Sequence, residues 1–205
     1  MTMRMDSKLM QFLTKMAYLM WINLLTVFCS LPVITAGAAF TAMNDVLLRV
    51  LRDEEAGITK GYFKAFRRNF RQATAIWLIF LGIGGMTAFG FVTAKNLPGT
   101  QVGIYRILLM VFGVFFLSVC FYTFPLLSHF ENTVAETLKN AFFLMNLNKR
   151  KTLQLLIIWG GLSYFMLRFF MRIIPLLLVF CFTLPAFLAL FTLDPVFRKL
   201  EGAEQ

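Results

Sequence analysis

The sequence predicts an all-α membrane protein, a polytopic bundle of about five transmembrane helices with short amphipathic helices on the cytoplasmic side. Two observations predict this class. Hydrophobic residues make up 59% of the 205 residues, whereas charged residues make up only 15%. The charges also fall between long apolar runs, and the mean hydropathy is +0.74. A soluble globule of this size lacks the interior to bury so much apolar surface. The composition equally excludes disordered and disulfide-framework chains.

Charge-free runs mark the candidate spans, because a helix needs about 20 apolar residues to cross ~30 Å of hydrocarbon. We expect one integral membrane domain over residues 1–205. The predicted spans and the cytoplasmic segments between them are listed by number: spans 11–31, 73–94, 106–125, 152–170 and 173–193, and cytoplasmic segments 45–72 and 130–151.

The first apolar run contains Pro32, which cannot continue a helical hydrogen-bond ladder and disfavours helix just before it. We therefore expect a kink at Pro32 and a second helix from about Thr35 to Arg52. Pro125 and Pro185 are candidate kinks in later spans. Two alternatives stay open for this region, a re-entrant segment over 33–44 and a cleaved signal peptide.

The orientation follows from the Lys and Arg of the connecting segments, since cytoplasmic loops carry an excess of them. With five spans, thirteen of the 20 Lys and Arg fall on one side and seven on the other. This distribution predicts a cell-membrane protein with its N-terminus outside and its C-terminus in the cytoplasm.

Two cytoplasmic segments carry the candidate binding surface. In the first, four cations lie opposite a stripe formed by Phe63, Phe66 and Phe70, which predicts a short amphipathic helix at the inner headgroup layer. The second segment repeats this pattern before a run of three cations. The candidate lipid or partner surface is therefore Lys64, Arg67, Arg68, Arg71, Lys149, Arg150 and Lys151. A nucleic-acid partner is not expected, because no nucleic-acid-binding motif accompanies these cations.

The sequence offers little chemistry for catalysis. His129 is the one histidine, the three cysteines lie inside spans without a C-x-x-C pair, and no acid lies in mid-span. We therefore expect no catalytic, metal or cofactor site, and a protein that is not an enzyme. Asn23 is the one strongly polar side chain deep in a span, and a helix–helix hydrogen bond is its expected role. Small-residue spacings in the second span leave a homodimer open, and similar segments around Pro32 and Pro125 leave an internal repeat open.

Several segments of the chain resemble a known family. The segment Asn23-Leu-Leu, the segment Ser30-Leu-Pro-Val-Ile-Thr-Ala-Gly-Ala-Ala39, and Arg52-Asp-Glu-Glu55 resemble the opening of the bacterial YesL-like family. The segments 63–74 and 138–142 extend the resemblance over nearly the whole chain. It implies a small bacterial multi-pass membrane protein of uncharacterised biochemistry, associated with carbohydrate uptake and polysaccharide utilisation. It supplies no catalytic residues.

These observations lead to one functional hypothesis and one alternative. The hypothesis is a non-enzymatic membrane component, accessory or regulatory to carbohydrate uptake, whose basic cytoplasmic helices contact a partner or the lipid bilayer. Subunits of an ABC transporter or a sensor kinase are the expected partners. The alternative is a small transporter or permease-like subunit, which proline-broken spans favour.

Overall fold

The computed structural model describes residues 3–54, 57–96, 101–130 and 132–202, without the side chains of residues 3–8, 95–96, 101, 166–167 and 169–180. The described chain is helical throughout and contains no strand, which confirms the predicted all-α class. Its elements are α1 (Met3–Ser30), a 3-10 turn (Val33–Thr35), α2 (Ala36–Leu51), α3 (Ile58–Asn96), α4 (Gln101–His129), α5 (Val134–Leu147), α6 (Lys149–Phe180) and α7 (Thr183–Glu201).

A sharp turn at Pro32 joins α1 to α2, where the sequence predicts a kink. The helix stops at Ser30, because proline has no N–H to continue the ladder. The Thr35 hydroxyl donates to the carbonyl of Pro32 at 2.8 Å, and the Trp77 indole N–H donates to the carbonyl of Val33 at 2.7 Å. The backbone N–H groups of Thr35 and Ala36 bind the same two carbonyls, so the side-chain bonds reinforce the turn.

The helices α1 and α2 form an antiparallel hairpin. An ion pair of 2.7 Å joins Lys15, before the middle of α1, to Asp53, just after α2. The predicted orientation puts Lys15 and the segment 45–72 on opposite sides of the membrane, whereas the pair places Lys15 beside Asp53. The chain reverses at Pro32, so both lie at the same end of the hairpin, as the re-entrant alternative requires.

The helix α2 lies at the centre of the fold, in contact with α1, α3, α4 and α7. Small residues on α2 allow this packing. A Cβ placed on Gly37 would lie 2.5 Å from both the carbonyl oxygen of Ala73 and the Cβ of Trp77, so α2 and α3 cross almost backbone to backbone. The following turns of α2 contribute fully buried side chains to the apolar core, namely Ala38, Ala39, Ala42, Met43, Val46, Leu47 and Val50.

The later helices differ in two places from the predicted boundaries. The helix α6 continues through residues 171–172, where the sequence analysis separates its fourth and fifth spans, and the helix breaks at Cys181 and Phe182 instead. A cation such as Arg172 affects partition into lipid but leaves backbone hydrogen bonds intact, so it does not end a helix.

The helix α4 runs through Pro125, which the sequence analysis names as a candidate kink. Pro185 lies in the first turn of α7, where a missing N–H costs little.

Four stretches of the described chain are long and apolar enough to cross a membrane: Leu9–Ser30, Val33–Leu51, Ile58–Ala94 and Val102–His129. These stretches show the character of an integral membrane protein. The predicted spans 152–170 and 173–193 fall partly on side chains outside the described residues.

Candidate functional site

A cluster of charged side chains joins α2 to α7, and Arg52 lies at its centre. The Arg52 Nε donates to an Asp194 oxygen at 2.9 Å, and its Nη1 donates to Glu201 at 3.0 Å. Asp194 also accepts from Arg198 Nε at 2.7 Å. Burial opposes the charge of Arg52, but the two carboxylates outweigh it and raise its pKa above the ordinary value. Arg52 is therefore a cation fixed between α2 and α7.

A second part of the same cluster joins α2 to α3 and α4. Asp45, almost fully buried, pairs with Arg49 at 2.9 Å and with Arg68 at 3.1 Å. The same Arg68 nitrogen donates to the carbonyl of Ser128 at 3.1 Å. One guanidinium thus connects three helices, so Arg68 has a structural role.

His129 completes the cluster at the end of α4. Its Nε2 forms a short hydrogen bond with Glu201, and its ring stacks on Phe197 with centroids 5.6 Å apart. The hydrogen bond from His129, with a further contribution from Arg52, lowers the pKa of Glu201. The term ionic cluster below denotes Asp45, Arg52, Arg68, His129, Asp194 and Glu201.

The predicted basic surface forms part of a longer helix than the sequence suggests. Lys64, Arg67 and Arg71 are exposed at positions i, i+3 and i+7 of α3, and we call these three residues the basic stripe. The prediction of a short, separate amphipathic helix is wrong, because α3 is continuous over Ile58–Asn96. Its buried face also differs from the predicted phenylalanine stripe and consists of Tyr62, Ala65, Asn69, Ala73 and Ile76.

The phenylalanines instead flank the basic stripe. Phe63 is 49% exposed, whereas Phe66 and Phe70 are partly buried against the core. Together with the cations they form one open surface on this part of α3. This surface therefore combines exposed cations with aromatic side chains.

The three cations of the second basic run, at the start of α6, have different environments in the structure. Lys149 and Arg150 are exposed. The Lys151 ammonium donates to the carbonyl of Thr192 at 3.0 Å, so it fixes α6 against α7. Burial, and after it the nearby Lys199, lowers the pKa of Lys151. Before this run, α5 begins with a capping box formed by Thr133 and Glu136, and it is a separate short helix as predicted.

The sequence analysis expects a helix–helix hydrogen bond for Asn23, and in the structure this side chain bonds the backbone at the start of α7. Its side chain is fully buried, and its Oδ1 accepts from the backbone N–H of Phe182 at 3.0 Å and of Thr183 at 3.3 Å. The first N–H groups of a helix have no partner within that helix, and Phe182 provides no side-chain cap of its own. The Asn23 side chain on α1 therefore caps the N-terminus of α7.

We expect Asn23→Leu to lower the free energy of unfolding by about 1–2 kcal/mol, the cost of losing a helix cap and leaving buried N–H groups unpaired. The measurement is the midpoint of denaturation in detergent. Asn146→Leu is the matched control, because the exposed Asn146 amide bonds only the carbonyl one turn before it. Equal midpoints for the two variants would contradict the capping role.

The sequence analysis misses the partners within the ionic cluster. It places no acid in mid-span and assigns none of them a partner, whereas Asp45 and Asp194 are each only 8% exposed. The available signal is local, since each aspartate has an arginine four residues later, at Arg49 and Arg198. The contacts with Arg52 and Arg68 join distant parts of the chain, and no short pattern reveals them.

The helices and the ionic cluster define a multi-helix integral membrane protein whose N-terminal hairpin is held by charged contacts to α3 and α7. Among the described residues there is no group of His, Cys, Asp and Glu that could hold a metal ion.

Residues 17–91 match a family described as "Protein of unknown function, DUF624". The matched segment covers most of the hairpin, the basic stripe and most of α3. Comparisons with curated proteins and with solved structures gave no match.

Proposed function

We propose that this chain is a non-enzymatic accessory component of a bacterial carbohydrate-uptake system in the cell membrane. In this proposal the basic stripe docks an acidic surface of a cytoplasmic partner, such as a subunit of an ABC transporter or a sensor kinase. The carbohydrate context rests on the resemblance to the YesL-like family. The docking role rests on one observation, the exposure of Lys64, Arg67 and Arg71 on one face of α3.

The direction of α3 favours a protein partner over the lipid headgroups. The same continuous helix carries both the basic stripe and the apolar run from residue 72 to residue 94. A helix that enters the bilayer does not lie flat along its surface, so a stripe parallel to the helix axis extends away from the headgroups. From Lys64 to Arg71 the rise is about 10 Å. Arg71 can reach lipid phosphates, while Lys64 lies deeper in the cytoplasm.

We further infer that both termini lie in the cytoplasm. With Lys15 beside Asp53, the cations that precede Lys15 join the basic side, and sixteen of the 20 Lys and Arg then lie there. This is a stronger positive-inside bias than the thirteen of the initial prediction. The hairpin tip contacts Trp77, six residues or about 9 Å along α3 from Arg71, which supports a re-entrant hairpin in the inner part of the bilayer.

Fusions to green fluorescent protein test this orientation, because the protein fluoresces when it folds in the cytoplasm. We expect fluorescent cells for fusions at both the N-terminus and the C-terminus. A dark N-terminal fusion, present at the same level as a fluorescent C-terminal fusion, would contradict the inferred topology.

Charge reversal tests the docking role. We expect Lys64→Glu/Arg67→Glu/Arg71→Glu to reduce the growth rate on complex glycans at least tenfold relative to the wild type, because the reversed stripe then repels an acidic partner. Arg68 is left unchanged, since it holds Asp45 and Ser128. The matched control is Lys149→Glu/Arg150→Glu, which reverses two exposed cations on another helix and should preserve growth.

A photo-crosslinking residue at position 63 identifies the partner directly. We expect a crosslinked product at this position, absent from the charge-reversed variant and absent when the same residue replaces Phe143, which is 60% exposed on α5. Full growth of the charge-reversed variant at wild-type protein levels would contradict the proposal, and so would a crosslink that survives charge reversal.

A further inference from the structure

We propose that a cavity between α2, α3, α4, α6 and α7 binds a small uncharged aromatic molecule, of the size and chemistry of a phenol, that enters from the bilayer. The cavity has a volume of about 190 Å³. It is independent of the basic stripe, and no residue lines both. A comparable apolar cavity of about 150 Å³ in another protein binds benzene.

Aromatic rings form the walls of this cavity. On one side Phe40 contacts Trp77 at 5.9 Å and Phe182 at 5.2 Å between ring centroids, both edge to face. On the other side Phe121 stacks on Trp159 at 5.0 Å. A ring placed between these walls meets both ring faces and ring edges, the arrangement that aromatic groups prefer. The walls therefore favour a planar ring over a flexible chain.

The lining determines the polarity of the ligand. None of the described residues around the cavity is charged, so a charged ligand would lose its hydration without compensation. Asn44 contributes an amide that is 6% exposed, and its Nδ2 donates to the carbonyl of Phe40 at 2.8 Å. The amide oxygen is an acceptor suited to one O–H group. A phenol supplies both the ring and that donor.

The tryptophans report on binding, because two of the three in the chain line the cavity. The third, Trp21, donates to the Thr59 hydroxyl at 2.9 Å and is 48% exposed. The full chain carrying Trp21→Phe is titrated in lipid nanodiscs with 4-bromophenol, whose bromine quenches nearby indoles. We expect saturable quenching that phenol reverses. The variant Trp77→Phe/Trp159→Phe should show only weak quenching, linear in concentration.

Two substitutions test the assigned contacts. Ala189→Leu, which fills the cavity, should weaken binding of 4-bromophenol at least tenfold. Asn44→Leu should weaken binding of phenol two- to tenfold while leaving benzene unaffected, the effect of one hydrogen bond. If Ala189→Leu does not fold, the thermal midpoint of the wild-type protein is measured instead, and it should rise with phenol concentration.

Three results would overturn the proposal. Linear quenching of equal size in both tryptophan variants would show partition into the bilayer alone. Saturation by brominated lipid acyl chains that phenol does not displace would assign the cavity to lipid. A wild-type midpoint that does not rise with phenol would show that no such ligand binds.

Discussion

Gly37→Ala is expected to lower the free energy of unfolding by about 3 kcal/mol, at the upper end of what overpacking costs. A Cβ at this position would lie 2.5 Å from the backbone oxygen of Ala73 and from the Cβ of Trp77. Neither atom is the flexible end of a side chain, so α2 and α3 must separate. Because Trp77 also holds the hairpin tip through Val33, the turn at Pro32 should loosen as well. Denaturation in detergent measures the loss.

Gly85→Ala is the matched control, since it introduces the same methyl group into α3. No atom lies within 4 Å of a Cβ placed there. We expect this variant to keep the wild-type stability or to exceed it by up to about 1 kcal/mol, the helix preference of alanine over glycine. Similar losses for the two variants would show that backbone freedom, and not the close crossing of α2 and α3, explains the glycine at position 37.

Arg52→Met is expected to cost about 3 kcal/mol, because it leaves Asp194 with one of its two arginines and removes a cation from Glu201. The Arg52 side chain is 19% exposed and that of Asp194 is 11% exposed, so water compensates little for the lost pair. The contact between the hairpin and α7 weakens as a result. We expect a lower denaturation midpoint and faster proteolysis of α7.

The matched control for Arg52 is Arg198→Met, since both arginines bind Asp194. The Arg198 side chain is 63% exposed, and exposed pairs contribute about 0.5 kcal/mol. Adding Asp194→Leu to Arg52→Met should recover part of the loss by removing the carboxylate left with a single partner. Equal effects of the two single substitutions would contradict the central position of Arg52 in the ionic cluster.

The turn at Pro32 could be predicted from the sequence, because proline acts on its immediate neighbours whatever the rest of the fold does. The direction in which α2 leaves that turn, back along α1, could not be predicted from the sequence. Charge counts assume that every long apolar run crosses the membrane. The Lys15–Asp53 pair depends instead on the antiparallel packing of α1 and α2.

The buried face of α3 also separates what a local pattern predicts from what depends on the packing of distant helices. Periodicity identifies a helix with apolar and basic faces, but it ranks large phenylalanines as the buried ones. The structure also buries the small or polar residues Ala65, Asn69 and Ala73, and at Ala73 the reason is the close approach of Gly37 on α2. The exposure of the basic stripe could be predicted without knowing how the helices pack, because a charge without a buried partner stays at the surface.

The cap that Asn23 provides also sets a timetable for folding. The amide and the N–H groups that it binds are separated by 159 and 160 residues, so this contact closes a loop that contains most of the chain. At about 5–20 residues per second, a ribosome takes roughly ten to thirty seconds to make that intervening chain. During this interval the newly made hairpin has not yet met the N–H groups of α7. The packing of α1 against α7 therefore comes late, after most of the chain has been made.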